Sequence, residues 1–149
     1  MSAMATYLED AVLKLLRAQN ITAPANVYLA LYTSTSGNEA GPYTNELSTS
    51  DTTTGYPAYV RKAITFGSDP TDISGDTALG KTIANTVQID FPANNNASNS
   101  VTIAAVGIFD SITRAAGNQL FHAALTTPKT LAVGDVLSFA VGALAVQLA

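Results

Sequence analysis

The sequence lacks several features that whole classes of function require. It contains no cysteine, which excludes disulfide bonds, thiol catalysis and cysteine-ligated zinc sites. Charged residues make up only 12% of the chain, about half the usual share. No apolar run reaches the roughly 18 residues that span a bilayer, and no basic region precedes an apolar core as in a secretory signal. We therefore expect neither a membrane segment nor a secretory leader.

The basic residues are too few and too dispersed to neutralise a nucleic-acid backbone. The net charge is −4, and no stripe of Lys and Arg runs along the sequence, as phosphate binding requires. The basic residues are Lys14, Arg17, Arg61, Lys62, Lys81, Arg114 and Lys129. This pattern predicts that the chain does not bind nucleic acid.

A helix is predicted near the amino-terminal end, within residues 1–20. Thr6 and Glu9 are spaced as a capping box, in which each side chain binds the other's backbone N–H group. Apolar residues at helical spacing then form one stripe: Leu8, Val12, Leu15 and Leu16. Such a stripe either covers part of a sheet or docks a partner.

The remaining residues, 21–149, show the pattern of short β-strands separated by polar turns. Strands are predicted at residues 27–33, 58–66, 82–91, 100–109 and 119–124, with a final pair about Gly134. Alternation directs Val60, Ile64, Phe66 and Val87 inward and Arg61 outward. We therefore predict one mainly β domain over residues 1–149. It would be an antiparallel β-sandwich or small barrel of about seven strands with one N-terminal helix.

Two polar segments connect these strands without a regular period. The loop at residues 34–57 is long, and loops of this length are usually functional or contact-making. Tyr43 and Tyr56 lie within it and Tyr32 directly precedes it, so we predict these three tyrosines as partner contacts. The asparagine-rich segment 93–99 is predicted to be an exposed turn.

No set of residues has the spacing of a known catalytic or metal site. Asp69, Asp72 and Asp76 could share a cation, but they do not follow an EF-hand pattern. His122 is the only histidine and has no evident acid–base partner, so a half-buried structural role is favoured. Glu39 and Glu46 are acidic residues of the long loop and could form a glycosidase pair. Nothing in the sequence holds the two side chains rigid. We expect a protein that is not an enzyme and has no cofactor.

Several segments resemble a family of small virion proteins from tailed bacteriophages, often labelled tail-fibre proteins. The helix TYLEDAVLKLL followed by TAPANVYLALYTS is similar to the opening of that family, and GYPAYVRKAITFG to its second strand. IANTVQIDFP, VTIAAVGIFDS and AGNQLFHAALTTPKTLAVGDVLSFAVGALAVQL resemble its closing β region, where the GIFD turn, the ALTTPKT link and the GD hairpin occur together.

The resemblance implies a structural role on the outer surface of a tailed-phage virion. We predict a capsid decoration or cement protein that binds the major capsid protein or other virion subunits and stabilises the shell. The alternative is a tail-fibre or baseplate subunit that takes part in host attachment. Self-association is a further option, and assembly would take place in the host bacterial cytoplasm. A small wall-degrading hydrolase is the remaining, enzymatic alternative.

Overall fold

The computed structural model describes residues 3–35, 43–49, 56–68, 71–72 and 80–148. Within these residues the chain forms one helix and ten strands. In chain order they are β1 (Ala3–Met4), α1 (Thr6–Leu16), β2 (Val27–Tyr32), β3 (Lys62–Ile64), β4 (Thr71–Asp72), β5 (Lys81–Ala84), β6 (Ile89–Asp90), β7 (Val101–Phe109), β8 (Gln119–Leu131), β9 (Ser138–Phe139) and β10 (Ala145–Leu148). The mainly β architecture with an N-terminal helix is confirmed. No helix among the described residues is long and apolar enough to cross a membrane.

The largest sheet is built around β7, which is buried on both of its faces. Its five strands run antiparallel in the order β1-β8-β7-β2-β3. The sequence of β7, VTIAAVGIF, is rich in β-branched residues that suit a strand covered on both sides. Leu29 of β2 and Phe121 of β8 both pair with Ile108 of β7, so one apolar row crosses the three central strands.

Two smaller sheets complete the core. One has the order β10-β5-β4 and the other pairs β6 with β9, again antiparallel. Ile89, Phe91 and Val146 from this side join Leu29 and Ile103 of the large sheet in one hydrophobic cluster. The described strands do not close into a barrel, and apolar faces that meet in one core are the arrangement of a sandwich.

Asn85 divides the strand that was predicted at residues 82–91. Its side-chain amide donates hydrogen bonds to the carbonyl oxygens of Val87 and Ala140, at 2.8 and 2.9 Å, and its Oδ1 accepts one from the Leu144 N–H at 2.9 Å. The chain therefore turns after β5 and begins again at β6. The inward orientation predicted for Val87 is wrong, because this turn leaves its side chain exposed.

The asparagine-rich segment at residues 93–99 also differs from its prediction. Asn94 and Asn96 are buried rather than exposed. The Asn94 amide donates to the carbonyl oxygen of Leu131 at 3.0 Å, and the Asn96 Oδ1 accepts from the backbone N–H groups of Ser98 and Asn99. Short polar side chains that replace backbone partners allow such a turn to pack inside the fold.

Strand β8 contains a bulge and an edge that the described strands leave open. Ile103 pairs with Lys129 and Ala105 pairs with Ala124, so residues 125–128 of β8 lie opposite Ala104 alone. Strand β1 pairs only with residues 121–122 of β8. Beyond that point, the outer edge of β8 is paired with no described strand, and it carries the exposed residues Pro128 and Lys129.

Helix α1 begins one residue earlier than its predicted capping box implies. Ala5 is the N-cap and makes no side-chain cap bond; instead its carbonyl oxygen accepts from Leu8 and Glu9. The capping-box prediction is therefore wrong. The helix ends in a Schellman arrangement, because the Gln19 N–H donates to the Lys14 carbonyl oxygen while Ala18 takes a left-handed φ of 55°.

Candidate interaction surface

The three tyrosines predicted as partner contacts lie mostly inside the fold. Tyr32 and Tyr56 are fully buried, which disfavours a partner contact through their side chains, and for these two residues the contact stays a prediction. The Tyr32 hydroxyl donates to Gln119 Oε1 at 3.1 Å. Its ring lies against β7 at Gly107, where a Cβ atom would come within 2.7 Å of the ring. These rings are core residues, and a fully buried ring offers no surface to a partner.

Tyr43 is the one of the three that remains partly exposed. Its ring meets the Phe109 ring edge-on with centroids 4.9 Å apart, and its hydroxyl accepts from the Gln119 N–H at 3.3 Å. The rest of the predicted 34–57 loop is only partly described: residues 36–42 and 50–55 lie outside the described residues. Tyr43 therefore stays a predicted contact, anchored on the sheet by two interactions.

A buried ion pair holds the described part of this loop in place. Glu46 and Arg61 have fully buried side chains, and they form two parallel hydrogen bonds: Nε to Oε1 at 2.8 Å and Nη2 to Oε2 at 2.7 Å. The Arg61 guanidinium also lies over the Phe109 ring, with Cζ 3.6 Å from the ring centroid. The outward orientation predicted for Arg61 is wrong, since its charge is neutralised inside the protein.

The remaining hydrogen-bonding groups of this pair are also occupied. Arg61 Nη1 donates to the carbonyl oxygens of Ser111 and Ala116, at 2.8 and 2.9 Å. The Tyr59 hydroxyl donates to Glu46 Oε1 at 2.9 Å. Burial, and after it the negative charge of Glu46, raises the pKa of Tyr59 above its ordinary value. We refer to Glu46, Tyr59 and Arg61 as the buried network.

The buried network has the properties of a structural element rather than of a catalytic site. A bidentate arginine holds the Glu46 carboxylate, and no side chain of this pair reaches solvent. Nothing in the sequence signals the pairing, because the two residues are 15 positions apart, with Glu46 in a loop and Arg61 directly before β3. Glu39, its predicted glycosidase partner, lies outside the described residues.

The other candidate chemical groups do not assemble into a site in the described part of the chain. Asp69 and Asp76 are outside it, and only the backbone of Asp72 is described, in β4. Among the described residues no three His, Asp or Glu side chains lie together as a metal site would require. His122 is partly buried on β8, and its buried Nε2 faces an apolar cleft lined by Ile108, among other residues, without a hydrogen-bond partner.

Helix α1 presents a cluster of exposed apolar side chains. Leu8 and Ala11 face the sheet, whereas Val12, Leu13 and Leu16 are 39%, 60% and 81% exposed. We call these last three residues the α1 outer face. The predicted single stripe is thus only partly covered, since Leu8 packs against the core whereas Val12 and Leu16 remain exposed.

An open apolar groove lies along the other side of α1. It has a volume of about 560 Å³ and is lined by Tyr7, Leu15, Ile21, Pro24 and Leu120, among others. Tyr7, Leu15 and Ile21 are themselves exposed. The helix therefore leaves apolar side chains uncovered on both flanks, and exposed apolar surface on this scale is typical of interaction sites.

The comparison with known families identifies the group to which the chain is related. Residues 3–147 match the family described as Podophage GP4 fiber I protein gp80. The chain belongs to this family of phage fibre proteins. The match includes α1, strands from all three sheets and the buried network, and it confirms the resemblance to tailed-phage virion proteins. The chain is accordingly a phage structural protein. A search of curated proteins finds no match.

Proposed function

We propose that the protein is a fibre subunit of a tailed-phage virion and that it works by contact with other virion subunits. The observation that carries this proposal is the family match over residues 3–147, because a match of that extent reaches from β1 into β10. The exposed apolar side chains of α1 supply a surface suited to such contacts.

The chemistry of the described residues supports a role in contact rather than catalysis. The Glu46 carboxylate is held by Arg61 and has no exposed surface. The imidazole of His122 has apolar neighbours where an acid–base partner would be required. We therefore propose that the protein is not an enzyme and that its partners are proteins of the particle.

The charge distribution supports the proposal that nucleic acid is not a partner. Of the seven basic residues of the chain, Arg61 is buried in its ion pair and Arg114 binds the carbonyl oxygens of Leu47 and Glu46. Phosphate binding requires several exposed cations on one face, and these two arginines cannot contribute freely to one.

The family name favours a fibre position over the capsid decoration role predicted from the sequence. Both roles require a compact β domain with an adhesive surface, so the fold alone does not separate them. They differ in where the protein lies on the particle. A fibre subunit lies on an appendage of the tail, whereas a cement protein bridges capsomers on the head.

Immunogold labelling of purified virions tests the fibre assignment. We expect gold particles over tail appendages, and virions that lack the chain should keep the thermal and osmotic resistance of normal heads while losing adsorption to host cells. Labelling spread over the head, together with fragile capsids in its absence, would support the decoration role and refute the fibre role.

A further inference from the structure

We propose that the α1 outer face binds the same face of a second copy of this chain, with the two helices antiparallel about a twofold axis near Leu13. The inference rests on the proposed function, since a fibre is assembled from subunits. It names the partner of the surface described above and the relative orientation of the two copies.

The first argument is that the exposed apolar side chains of α1 lie together on one side of the helix. Leu13 and Leu16 lie about 140–160° around the axis from the buried Ala11, and the exposed Val12, one turn beyond Leu8, lies at the border of this surface. Ordinary amphipathic helices place their apolar residues against the core, with polar residues outside. A helix with leucine at 60% and 81% exposure on its outer side has a second apolar surface that the described residues leave uncovered.

The second argument is the arrangement of charge at the ends of this surface. Asp10 and Lys14 form an ion pair with each other. Glu9 and Arg17, in contrast, are exposed and make no ion pair with any described residue. They carry opposite charges at the two ends of the α1 outer face, and Leu13 lies midway between them in sequence.

These charges are self-complementary only when the two helices run in opposite directions. A twofold interface places the same patch on both subunits, so residue i contacts residue j and residue j contacts residue i. With the axis at Leu13, Glu9 of each copy faces Arg17 of the other, since both lie about 6 Å from the axis at 1.5 Å per residue. Side-by-side parallel helices would oppose Glu9 to Glu9.

The size of the surface predicts a weak interaction in dilute solution. A stable interface buries about 800 Å² per partner, which is more than the outer face of an 11-residue helix supplies. We therefore expect association that depends on protein concentration. Within a fibre the high local concentration of subunits would strengthen the same contact.

Charge reversal on the purified full-length chain tests the proposal by sedimentation velocity over a range of concentrations. Glu9→Arg and Arg17→Glu should each weaken self-association by roughly tenfold, because two symmetry-related attractions become repulsions. The double variant should restore it. Leu13→Glu should abolish association, whereas Val141→Glu, at an exposed residue away from α1, should leave it unchanged.

Crosslinking determines the orientation, since the chain has no cysteine of its own. Mixing Glu9→Cys with Arg17→Cys under oxidation should yield a disulfide-linked heterodimer, and Leu13→Cys should link to itself.

A wild-type chain that stays monomeric at every concentration, or a double charge variant that associates no better than the single variants, would overturn the proposal. Neither result depends on virion location, so the fibre assignment stands or falls separately by immunogold labelling.

Discussion

Helix α1 and the buried network reverse the usual relation between polarity and burial. Arg61 is 1% exposed and Leu16 is 81% exposed. Inside, every charge of the Glu46–Arg61 pair is met by a hydrogen bond or an opposite charge. Outside, the side chains of Val12, Leu13 and Leu16 on α1 are left exposed by the described residues. The polar interior is satisfied within one subunit, whereas this apolar surface is of the kind that interaction sites present.

Breaking the buried network should produce the largest change in stability. Glu46→Gln keeps the shape of the side chain but leaves the Arg61 charge without its counter-charge, and we expect a loss of about 3–5 kcal/mol in the free energy of unfolding. Asp10→Asn, which breaks the exposed ion pair on α1, is the matched control and should cost less than about 1 kcal/mol. Urea denaturation measures the free energy of unfolding of both variants. Equal losses would contradict the expected difference between the buried and the exposed ion pair.

High pH should destabilise the fold through two buried tyrosines, Tyr59 of the buried network and Tyr32 of β2. Burial is the main cause that raises the pKa of Tyr32 and of Tyr59. Their folded pKa values exceed the unfolded value of about 10, so their contribution is complete below about pH 10 and is lost as the pH rises above it. We expect a fall of about 1.4 kcal/mol per pH unit for each of the two.

A titration that follows tyrosinate absorbance and circular dichroism together checks this expectation. The last part of the absorbance change should coincide with the loss of the circular dichroism signal, because the buried hydroxyls ionise only on unfolding. Ionisation of all six tyrosines while the β signal stays native would show that these side chains are accessible.

An alanine with a left-handed backbone lies next to each of the two regions. Replacing either one by glycine allows the same test in both regions, with a smaller expected change in stability. Ala18 follows α1 with φ 55°, and Ala115 has φ 59° where its N–H donates to Glu46 Oε2. Glycine adopts this conformation at lower cost, so Ala18→Gly and Ala115→Gly should each raise stability by about 1 kcal/mol. The midpoint of thermal unfolding should rise in both variants. A lower midpoint would mean that the conformational entropy that glycine loses on folding outweighs the backbone strain that the substitution relieves.

Polar substitution of the α1 outer face should have the smallest effect on the isolated subunit. Leu16→Gln removes an apolar side chain that contacts little in the chain, and we expect a change within about 0.5 kcal/mol. Leu29→Ala, at a fully buried residue of the core, should cost about 2–5 kcal/mol. Denaturant midpoints at low protein concentration compare the two, and a large effect of Leu16→Gln would mean that α1 is covered within the subunit.

The features that follow from local sequence pattern could be predicted, and those that depend on distant partners could not. Apolar spacing indicates α1, and a β-branched run indicates β7. Arg61 was assigned outward by alternation because its partner, Glu46, comes from a loop whose position is set by the folded sheet. The segment around Asn94 looks like a solvated turn for the same reason, since its partner Leu131 is 37 positions away.

The candidate site was foreseen only in part. Aromatic residues of a long loop are reasonable interface candidates, yet Tyr32 lies on β2 and its hydroxyl bonds to Gln119 of β8, where the missing side chain of Gly107 makes room for its ring. The apolar stripe of α1 was visible in the sequence. Which half of it the sheet covers is decided by the position of β8 beneath the helix, and no local pattern reports that position.

The open edge of β8 determines how copies of this protein can accumulate. An unpaired strand normally invites another strand, which then exposes a new edge for the next, and growth by that route has no fixed end. Pro128 supplies no N–H group and Lys129 places a charge on this edge, and the bulge beside them distorts the ladder. These features disfavour edge-to-edge pairing of copies along the part of β8 that no described strand covers.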